Sequence, residues 1–183
     1  MISPWTLVGE RVIQFKKYGK SMVSQMFLSP KDDKEHEFIL YGERDYAMIL
    51  PLTDDNKVIA VRQYRHGCNQ IALELPAGCA DVKGESALQL INRELLQETG
   101  YVADRVISLG DPLFISTSAS WTKCYLYLGL GCKKVQEQQL DDTEDISTEF
   151  VPLDEWVKLC LSSIVDLSSV AATFRSLPHL KLL

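Results

Sequence analysis

The 183-residue sequence lacks several features that would assign it to common protein classes. No stretch approaches the roughly 20 consecutive apolar residues that cross a bilayer. The N-terminal segment has no basic region followed by an apolar core, so we expect no secretory signal. The net charge is −6, and Lys16-Lys17 is too short for the basic stripe that nucleic-acid binding needs. We therefore expect a cytoplasmic protein that binds neither a membrane nor a nucleic acid.

The sequence also lacks paired cysteine motifs. Its cysteines are odd in number and scattered without a C-x-x-C spacing: Cys68, Cys79, Cys124, Cys132 and Cys160. This pattern argues against a disulfide framework and against a zinc site, and it predicts free thiols that are mostly buried or half-buried. Without a repeat, linker or low-complexity segment, a chain with 46% hydrophobic and 24% charged residues is expected to form one globular domain.

One segment predicts a well-defined helix. Ser86 is a candidate N-cap, and Leu88, Ile91 and Leu95 place apolar side chains three to four residues apart. Gly100 is a natural C-terminal stop. We expect a helix over residues 86–99.

Oxygen-bearing side chains lie together on one face of this helix. Glu94, Gln97 and Glu98 occupy positions i, i+3 and i+4. Neighbouring carboxylates repel each other, which raises the pKa of at least one unless a cation neutralises them, and hard oxygen ligands suit Mg²⁺ or Mn²⁺. Alternatively, the helix is an ordinary solvated one in which Arg93 pairs with a neighbouring carboxylate.

The segment before the helix, Glu74-Leu75-Pro76-Ala77-Gly78, ends an apolar stretch and leads through a polar loop into the helix. Together, loop and helix resemble the Nudix hydrolase family. Its motif is Gly, five residues, Glu, seven residues, Arg-Glu, an aliphatic residue, any residue, Glu-Glu, any residue, Gly and an aliphatic residue. Six residues match in mutual register: Glu85, Arg93, Glu94, Leu95, Glu98 and Gly100.

The chain departs from the motif at three places. Six residues rather than five separate Gly78 from Glu85, Gln97 replaces the first Glu of the pair, and Tyr101 ends the motif. Gln97 keeps an oxygen but loses one negative charge, so we expect the site to hold fewer cations or to hold them more weakly.

The resemblance implies roles for individual residues, those of the ADP-ribose and nucleotide-sugar pyrophosphatases. The carbonyl of Ala77 and the side chains of Glu94, Gln97 and Glu98 would bind Mg²⁺, with Mn²⁺ as a possible substitute. Arg93 would orient the acidic helix face by pairing with a glutamate.

The resemblance also extends to residues outside the helix. Arg65 would reach the substrate diphosphate, a role that suits its planar charged group, and Glu74 would help to frame the site. The acidic loop 139–146 would provide the general base, with Glu144 as first choice and Asp142 as second. The alternative for this loop is a merely solvated charged segment.

The remaining sequence predicts strands over residues 6–18, 22–28 and 37–41, with a turn at 29–34. Further strands are expected at 43–51, 57–65, 106–115, 124–130 and 150–153, and further helices at 154–162 and 168–176. This order fits an α/β/α sandwich with a mixed sheet, the fold that the resemblance implies.

We expect residues 1–45 to form an additional N-terminal antiparallel β unit of the same domain and residues 46–183 to form the Nudix hydrolase domain. The resemblance further implies a homodimer, because a similar N-terminal sheet packs on the partner subunit in ADP-ribose pyrophosphatases.

The sequence therefore predicts a metal-dependent pyrophosphohydrolase that cleaves a nucleoside diphosphate linked to another moiety, with ADP-ribose or a nucleotide sugar as the first expectation. The chain has residues 116–120, Ser-Thr-Ser-Ala-Ser, where many ADP-ribose pyrophosphatases carry a Pro-Gly turn. Two alternatives stay open. One is a catalytically impaired nucleotide-binding module, and the other is an enzyme for a diadenosine polyphosphate or a coenzyme A derivative.

Overall fold

The computed structural model describes residues 2–182, which group into two compact units. Unit 1 comprises residues 2–45 and 114–123, and unit 2 comprises residues 46–113 and 124–182. The predicted division into residues 1–45 and 46–183 stays a prediction about domains, and its residues 1 and 183 lie outside the described part of the chain. The structure groups residues 114–123 with the N-terminal segment, which the sequence did not indicate.

Unit 1 contains a three-stranded antiparallel sheet in the order β1-β2-β3. The strands are β1 Thr6–Lys17, β2 Lys20–Leu28 and β3 Glu35–Gly42. Tyr18 and Gly19 connect β1 to β2 with positive φ angles of 51° and 77°. A two-residue hairpin needs this left-handed backbone because it matches the twist of the paired strands.

Unit 2 is built on a mixed sheet. Its strands are β4 Tyr46–Leu52, β5 Lys57–Arg65, β6 Gln70–Glu74, β7 Ala77–Cys79, β8 Tyr101–Val102, β9 Arg105–Ser108, β10 Leu113–Phe114, β11 Lys123–Leu130, β12 Lys133–Lys134 and β13 Ile146–Pro152. The last residue of β10 and the first of β11 are grouped with unit 1. The main order is β10-β11-β4-β5-β13; β6 pairs with β5, β7 with β4, and β9 with β11. β11 runs parallel to β4, whereas β13 and β6 run antiparallel to β5. A separate short pair joins β8 to β12.

Helices cover both faces of this sheet. They are α1 Ala87–Thr99, α2 Leu153–Ser162 and α3 Leu167–Ser176, followed by a 3₁₀ turn, Leu177–Leu180. Side chains of β4 alternate between two hydrophobic cores, as the period of a strand requires. One core contains Ala47 and Ile49 with Leu90, Ile91 and Leu95 of α1, and the other contains Met48, Leu50 and Leu52 with Trp156 of α2 and Ala172 of α3. The predicted α/β/α sandwich with a mixed sheet is confirmed.

Helix α1 begins and ends where local sequence signals predict. The Oγ of Ser86 accepts a hydrogen bond from the Gln89 N–H at 3.3 Å, and the Gln89 side chain accepts one from the Ser86 N–H at 3.0 Å. At the other end Gly100 has a φ of 78°, and its N–H donates to the Leu96 carbonyl at 2.8 Å. These reciprocal caps satisfy backbone groups that a helix end leaves open.

Other predicted boundaries were wrong. The strand predicted over residues 106–115 is divided into β9 and β10, and Gly110 between them has a φ of 90°, which breaks the strand. The strand predicted from residue 43 begins at Tyr46, and the Glu43 N–H bonds instead to the Thr122 hydroxyl at 2.8 Å. β13 begins four residues earlier than predicted, because its register with β5 continues to Ile146 opposite Gln63. Within residues 2–182, none of the helices has the length and apolar character needed to span a membrane.

Candidate metal and active site

Glu98 lies in the last turn of α1 and is only 4% exposed. One of its carboxylate oxygens accepts a hydrogen bond from the N–H of Ala77 in β7 at 3.1 Å. Burial, reinforced by the nearby charge of Glu94, raises the pKa of Glu98 to about 8. The fold therefore buries a carboxylate without a matching positive charge bonded to it.

Glu94 lies one turn earlier on the same face and packs directly on the backbone of β7. A Cβ atom at Gly78 would lie 2.1 Å from the Glu94 Cδ, so only glycine leaves room for this carboxylate. Burial raises the pKa of Glu94 to about 7, against the lowering effect of Arg93. The charge of Glu144 contributes to the increase at both glutamates.

Arg93 contacts four oxygen-bearing side chains around the helix. It forms a two-pronged ion pair with Glu85, in which Nε and Nη2 lie 2.9 and 3.0 Å from the two carboxylate oxygens. Its Nη1 donates to the Gln97 Oε1 at 2.9 Å and lies 2.8 Å from the Glu94 Oε1. Its Nη2 also donates to the Asp81 Oδ1 at 3.0 Å. Hydrogen bonding to Glu85 holds the pKa of the guanidinium above its ordinary value.

Arg65 and Glu74 form an ion pair where β5 and β6 meet. The Arg65 Nε and Nη2 donate to one Glu74 oxygen at 2.8 and 2.6 Å. The Glu74 side chain is buried, whereas 42% of the Arg65 side chain is exposed. The positive charge of Arg65 also acts to lower the pKa of Glu98. This charge can therefore act on an anion that approaches the two helix glutamates.

The segment between β6 and β7 is held from both sides. The Leu75 N–H donates to the Oγ of Ser169 in α3 at 3.0 Å, and the Pro76 carbonyl accepts from the Ile49 N–H at 3.1 Å. Both bonds fix the chain immediately before Ala77, and thus the backbone against which Glu98 lies.

The two acids of the loop before β13 differ in environment. The Glu144 N–H donates to the Asp141 carbonyl at 2.9 Å, and its carboxylate accepts from the Asp141 N–H at 3.0 Å. Glu144 is half-buried, whereas Asp142 is exposed. Since the charge of Glu144 acts on Glu94 and Glu98, the loop brings this acid near the helix face.

The donor set can be tested against the needs of a divalent cation. Buried Glu98 and half-buried Glu94 both have raised pKa values, so a bound cation would stabilise their ionised forms. Carboxylate oxygens are the hard ligands that Mg²⁺ and Mn²⁺ prefer. The Gln97 oxygen is already bonded to Arg93. Within residues 2–182, no three His, Cys, Asp or Glu side chains come together in a ready-made metal cage. The residues therefore fit a cation bound mainly by two carboxylates, with further coordination from backbone, water or substrate.

The family model of the NUDIX domain matches residues 42–164 of this chain. These residues include all of the groups described above except Ser169. The chain belongs to the Nudix family. This confirms the family that the motif around α1 indicated, despite Gln97 and the longer loop.

Known members of the Nudix family and a solved structure resemble this chain. The putative nudix hydrolase 2 of Caenorhabditis elegans is 31% identical over 118 residues, which cover 62% of this chain and 52% of that protein. The ADP-ribose pyrophosphatase of Bacillus subtilis is 30% identical over 112 residues, which cover 61% of this chain and 60% of that protein. These alignments thus span about half to three fifths of the curated relatives. The crystal structure of an ADP compounds hydrolase has a TM-score of 0.84 at 21% identity, covering 99% of this chain and 96% of its own, and it shows the same fold.

The Nudix fold brings most of the predicted site residues together around the C-terminal half of α1, namely Ala77, Glu94, Gln97 and Glu98, with Arg93 beside them. Sequence reasoning missed Asp81, and the extra residue in the loop before α1 was the one sequence signal that pointed to this loop. It also missed Ser169, for which no local pattern exists because its partner lies 94 residues away.

Proposed function

We propose that this Nudix domain is a divalent-metal-dependent pyrophosphohydrolase that cleaves a nucleoside diphosphate linked to another moiety. The observation that carries the proposal is that half-buried Glu94 and buried Glu98 lie on one face of α1 and that the pKa values of both are raised. Neighbouring acids with strongly shifted pKa values are common at catalytic sites, because catalysis needs groups whose pKa values match their task. ADP-ribose and nucleotide sugars are the first substrates to test, since curated relatives include ADP-ribose pyrophosphatases.

Glu94 and Glu98 would bind Mg²⁺ or Mn²⁺ together with the Ala77 carbonyl, and Gln97 would contribute through water or indirectly. When bound, the cation offsets negative charge on the diphosphate and lowers the pKa of a bound water. The Ala77 N–H donates to one oxygen of Glu98, and the other oxygen would be the one that binds the cation.

The surrounding residues would position and activate the reactants. Arg65, whose guanidinium is partly exposed, would bind diphosphate oxygens while Glu74 keeps its side chain oriented. Glu144 would accept a proton from the attacking water, with Asp142 as the second candidate. Water then adds to one phosphorus while the bridging P–O bond breaks, giving two phosphate-bearing products.

Incubation with Mg²⁺ or Mn²⁺ and a substrate panel, followed by mass spectrometry, tests this proposal. The panel contains ADP-ribose, nucleotide sugars, diadenosine polyphosphates and coenzyme A. We expect cleavage of at least one ADP-ribose-like compound between its two phosphates. Nucleotide binding without cleavage by a folded protein would instead favour the alternative, an impaired binding module.

Glu98→Gln provides the sharper test of the site. We expect kcat/KM to fall at least about a hundredfold, because a metal ligand loses its charge. The fold should remain, because an amide has the shape of the carboxylate without the cost of a buried charge. Glu137→Gln is the matched control, since this glutamate is 88% exposed and should leave kcat/KM within about twofold of the original. Full activity in Glu98→Gln would refute the assigned metal site.

A further inference from the structure

Two of the departures from the Nudix motif meet at a single side chain. The longer loop, residues 79–84, includes Asp81, and the Asp81 carboxylate contacts Arg93 Nη2 at 3.0 Å. Gln97, which stands where the motif has a glutamate, contacts Arg93 Nη1 at 2.9 Å. Arg93 therefore contacts both Gln97, which lacks the negative charge of the motif glutamate, and Asp81, an acid of the longer loop.

The guanidinium has five N–H donors, and five short contacts surround it. Two go to Glu85, and one each goes to Gln97, Asp81 and Glu94. Gln97 accepts a hydrogen bond but brings no negative charge. Asp81 supplies one negative charge. Arg93 therefore contacts as many carboxylates as it would if residue 97 were a glutamate and Asp81 were absent.

The number of carboxylates around Arg93 matters because Arg93 would compete with a bound cation for Glu94. Its Nη1 lies 2.8 Å from the Glu94 Oε1, close enough to neutralise this carboxylate. The carboxylates of Glu85 and Asp81 contact Nε and Nη2 rather than Nη1, and they attract the positive charge of Arg93 away from Glu94. Without one of them, Arg93 would pair more fully with Glu94.

We propose that Asp81 is a positioning residue that replaces the negative charge missing at Gln97, and that it restrains Arg93 so that Glu94 stays available to a divalent cation. This inference rests on the proposed function for its metal, but the charge exchange between positions 81 and 97 can be measured without metal. The longer loop is then a compensating feature, and Gln97 alone does not disable the site.

The test compares the full chain with four variants: Asp81→Asn, Gln97→Glu, the double variant Asp81→Asn/Gln97→Glu, and Asp81→Asn/Lys83→Gln. Both double variants keep the original net charge, but only the first places a new negative charge on a side chain that contacts Arg93. Lys83 is an exposed residue of the same loop as Asp81. Mn²⁺ affinity is measured by isothermal titration calorimetry. Urea unfolding of the metal-free proteins gives the stability of each variant.

We expect Asp81→Asn to weaken Mn²⁺ binding about two- to fivefold, as for a partly exposed ion pair. Gln97→Glu should restore the affinity of Asp81→Asn to within about twofold of the original chain. Asp81→Asn/Lys83→Gln should stay as weak as Asp81→Asn. In urea, Gln97→Glu should likewise recover the unfolding midpoint lost in Asp81→Asn.

Unchanged affinity in Asp81→Asn, or equal rescue by Lys83→Gln, overturns the inference. So does an unfolding midpoint that Gln97→Glu does not recover, whatever the metal does. By contrast, absence of Mn²⁺ binding in the original chain, combined with rescue of the unfolding midpoint, overturns the proposed metal site and leaves the charge exchange supported. The two failures are thus distinguishable.

Discussion

At the scale of residues, the important property of Glu94 and Glu98 is that the fold withdraws both carboxylates from most of the solvent: Glu98 is buried and Glu94 is half-buried. Ionised carboxylates are costly to bury, so the metal-free site holds protons more tightly than exposed glutamates would. A cation that binds here, as the proposed function requires, would displace these protons. Metal affinity and metal-free stability should therefore both depend on pH, in opposite directions.

The metal-free protein should lose stability as the pH rises from about 5 to about 8. Over this range the folded glutamates, with pKa values of about 7 and 8 against a reference of 4.5, bind more protons than the unfolded chain does. The increase in Tm on adding Mn²⁺ should accordingly grow with pH. Thermal unfolding with EDTA and with Mn²⁺ at a series of pH values measures both trends.

Glu98→Gln is the control for this pH effect, because it removes the more strongly shifted group. Its metal-free stability should depend less on pH, and the Mn²⁺-induced increase in Tm should be smaller. A Tm increase that is independent of pH in the original chain would contradict a carboxylate site that exchanges protons for metal.

The sequence could predict the identity of these residues but not their burial. The i, i+3, i+4 spacing places Glu94 and Glu98 on one face of α1. The close fit of Glu94 on Gly78 depends on β7 packing against the helix, which no local pattern encodes. The partners of Arg93 were only partly predictable for the same reason: Glu85 is in the motif, whereas Asp81 reaches Arg93 through the folding of its loop.

At the scale of elements, prediction succeeded where the determinants are local. The capping box at Ser86 and the left-handed Gly100 lie within the segment that they delimit, and α1 was predicted closely. The strand over residues 106–115 was predicted from apolar content alone, and the positive φ of Gly110 divides it. The support of the Leu75 backbone by α3 is a long-range contact that only the structure reveals.

Ser169→Ala should lower the free energy of unfolding by about 1–3 kcal/mol, because the buried Leu75 N–H then has no acceptor. Ser169 is fully buried in α3, beyond the matched NUDIX residues. Chemical denaturation followed by circular dichroism measures the change. Ser162→Ala, at an exposed position of α2, is the control and should change the stability by less than about 0.5 kcal/mol. Equal stabilities of the two variants would show that the Ser169 hydrogen bond does not stabilise the fold.

At the scale of the whole molecule, one face of the β1–β3 sheet exposes apolar side chains. The strand register aligns Phe15 with Met22 and Tyr41, and it aligns Val12 with Ser24 and Ile39. Residues that are paired across strands project from the same face. Five apolar side chains of this face are each more than 40% exposed: Val12, Phe15, Met22, Ile39 and Tyr41. A contiguous apolar surface of this kind usually lies in an interface.

We expect a second copy of the chain to cover this face, in agreement with the homodimer that the family resemblance implies. Val12→Lys should weaken dimerisation at least about tenfold, because it places a charge in an apolar contact. Its 57% exposure predicts little harm to the fold itself. Ile71→Lys is the matched control, since this isoleucine of β6 is 66% exposed and lies outside the β1–β3 sheet.

Sedimentation equilibrium over a range of protein concentrations measures the dimerisation of the original chain and of both variants. A monomeric original chain at high concentration, or a dimer that is equally stable in Val12→Lys, would exclude this face as the interface. Weakening by Ile71→Lys alone would instead place the interface on the surface of β6.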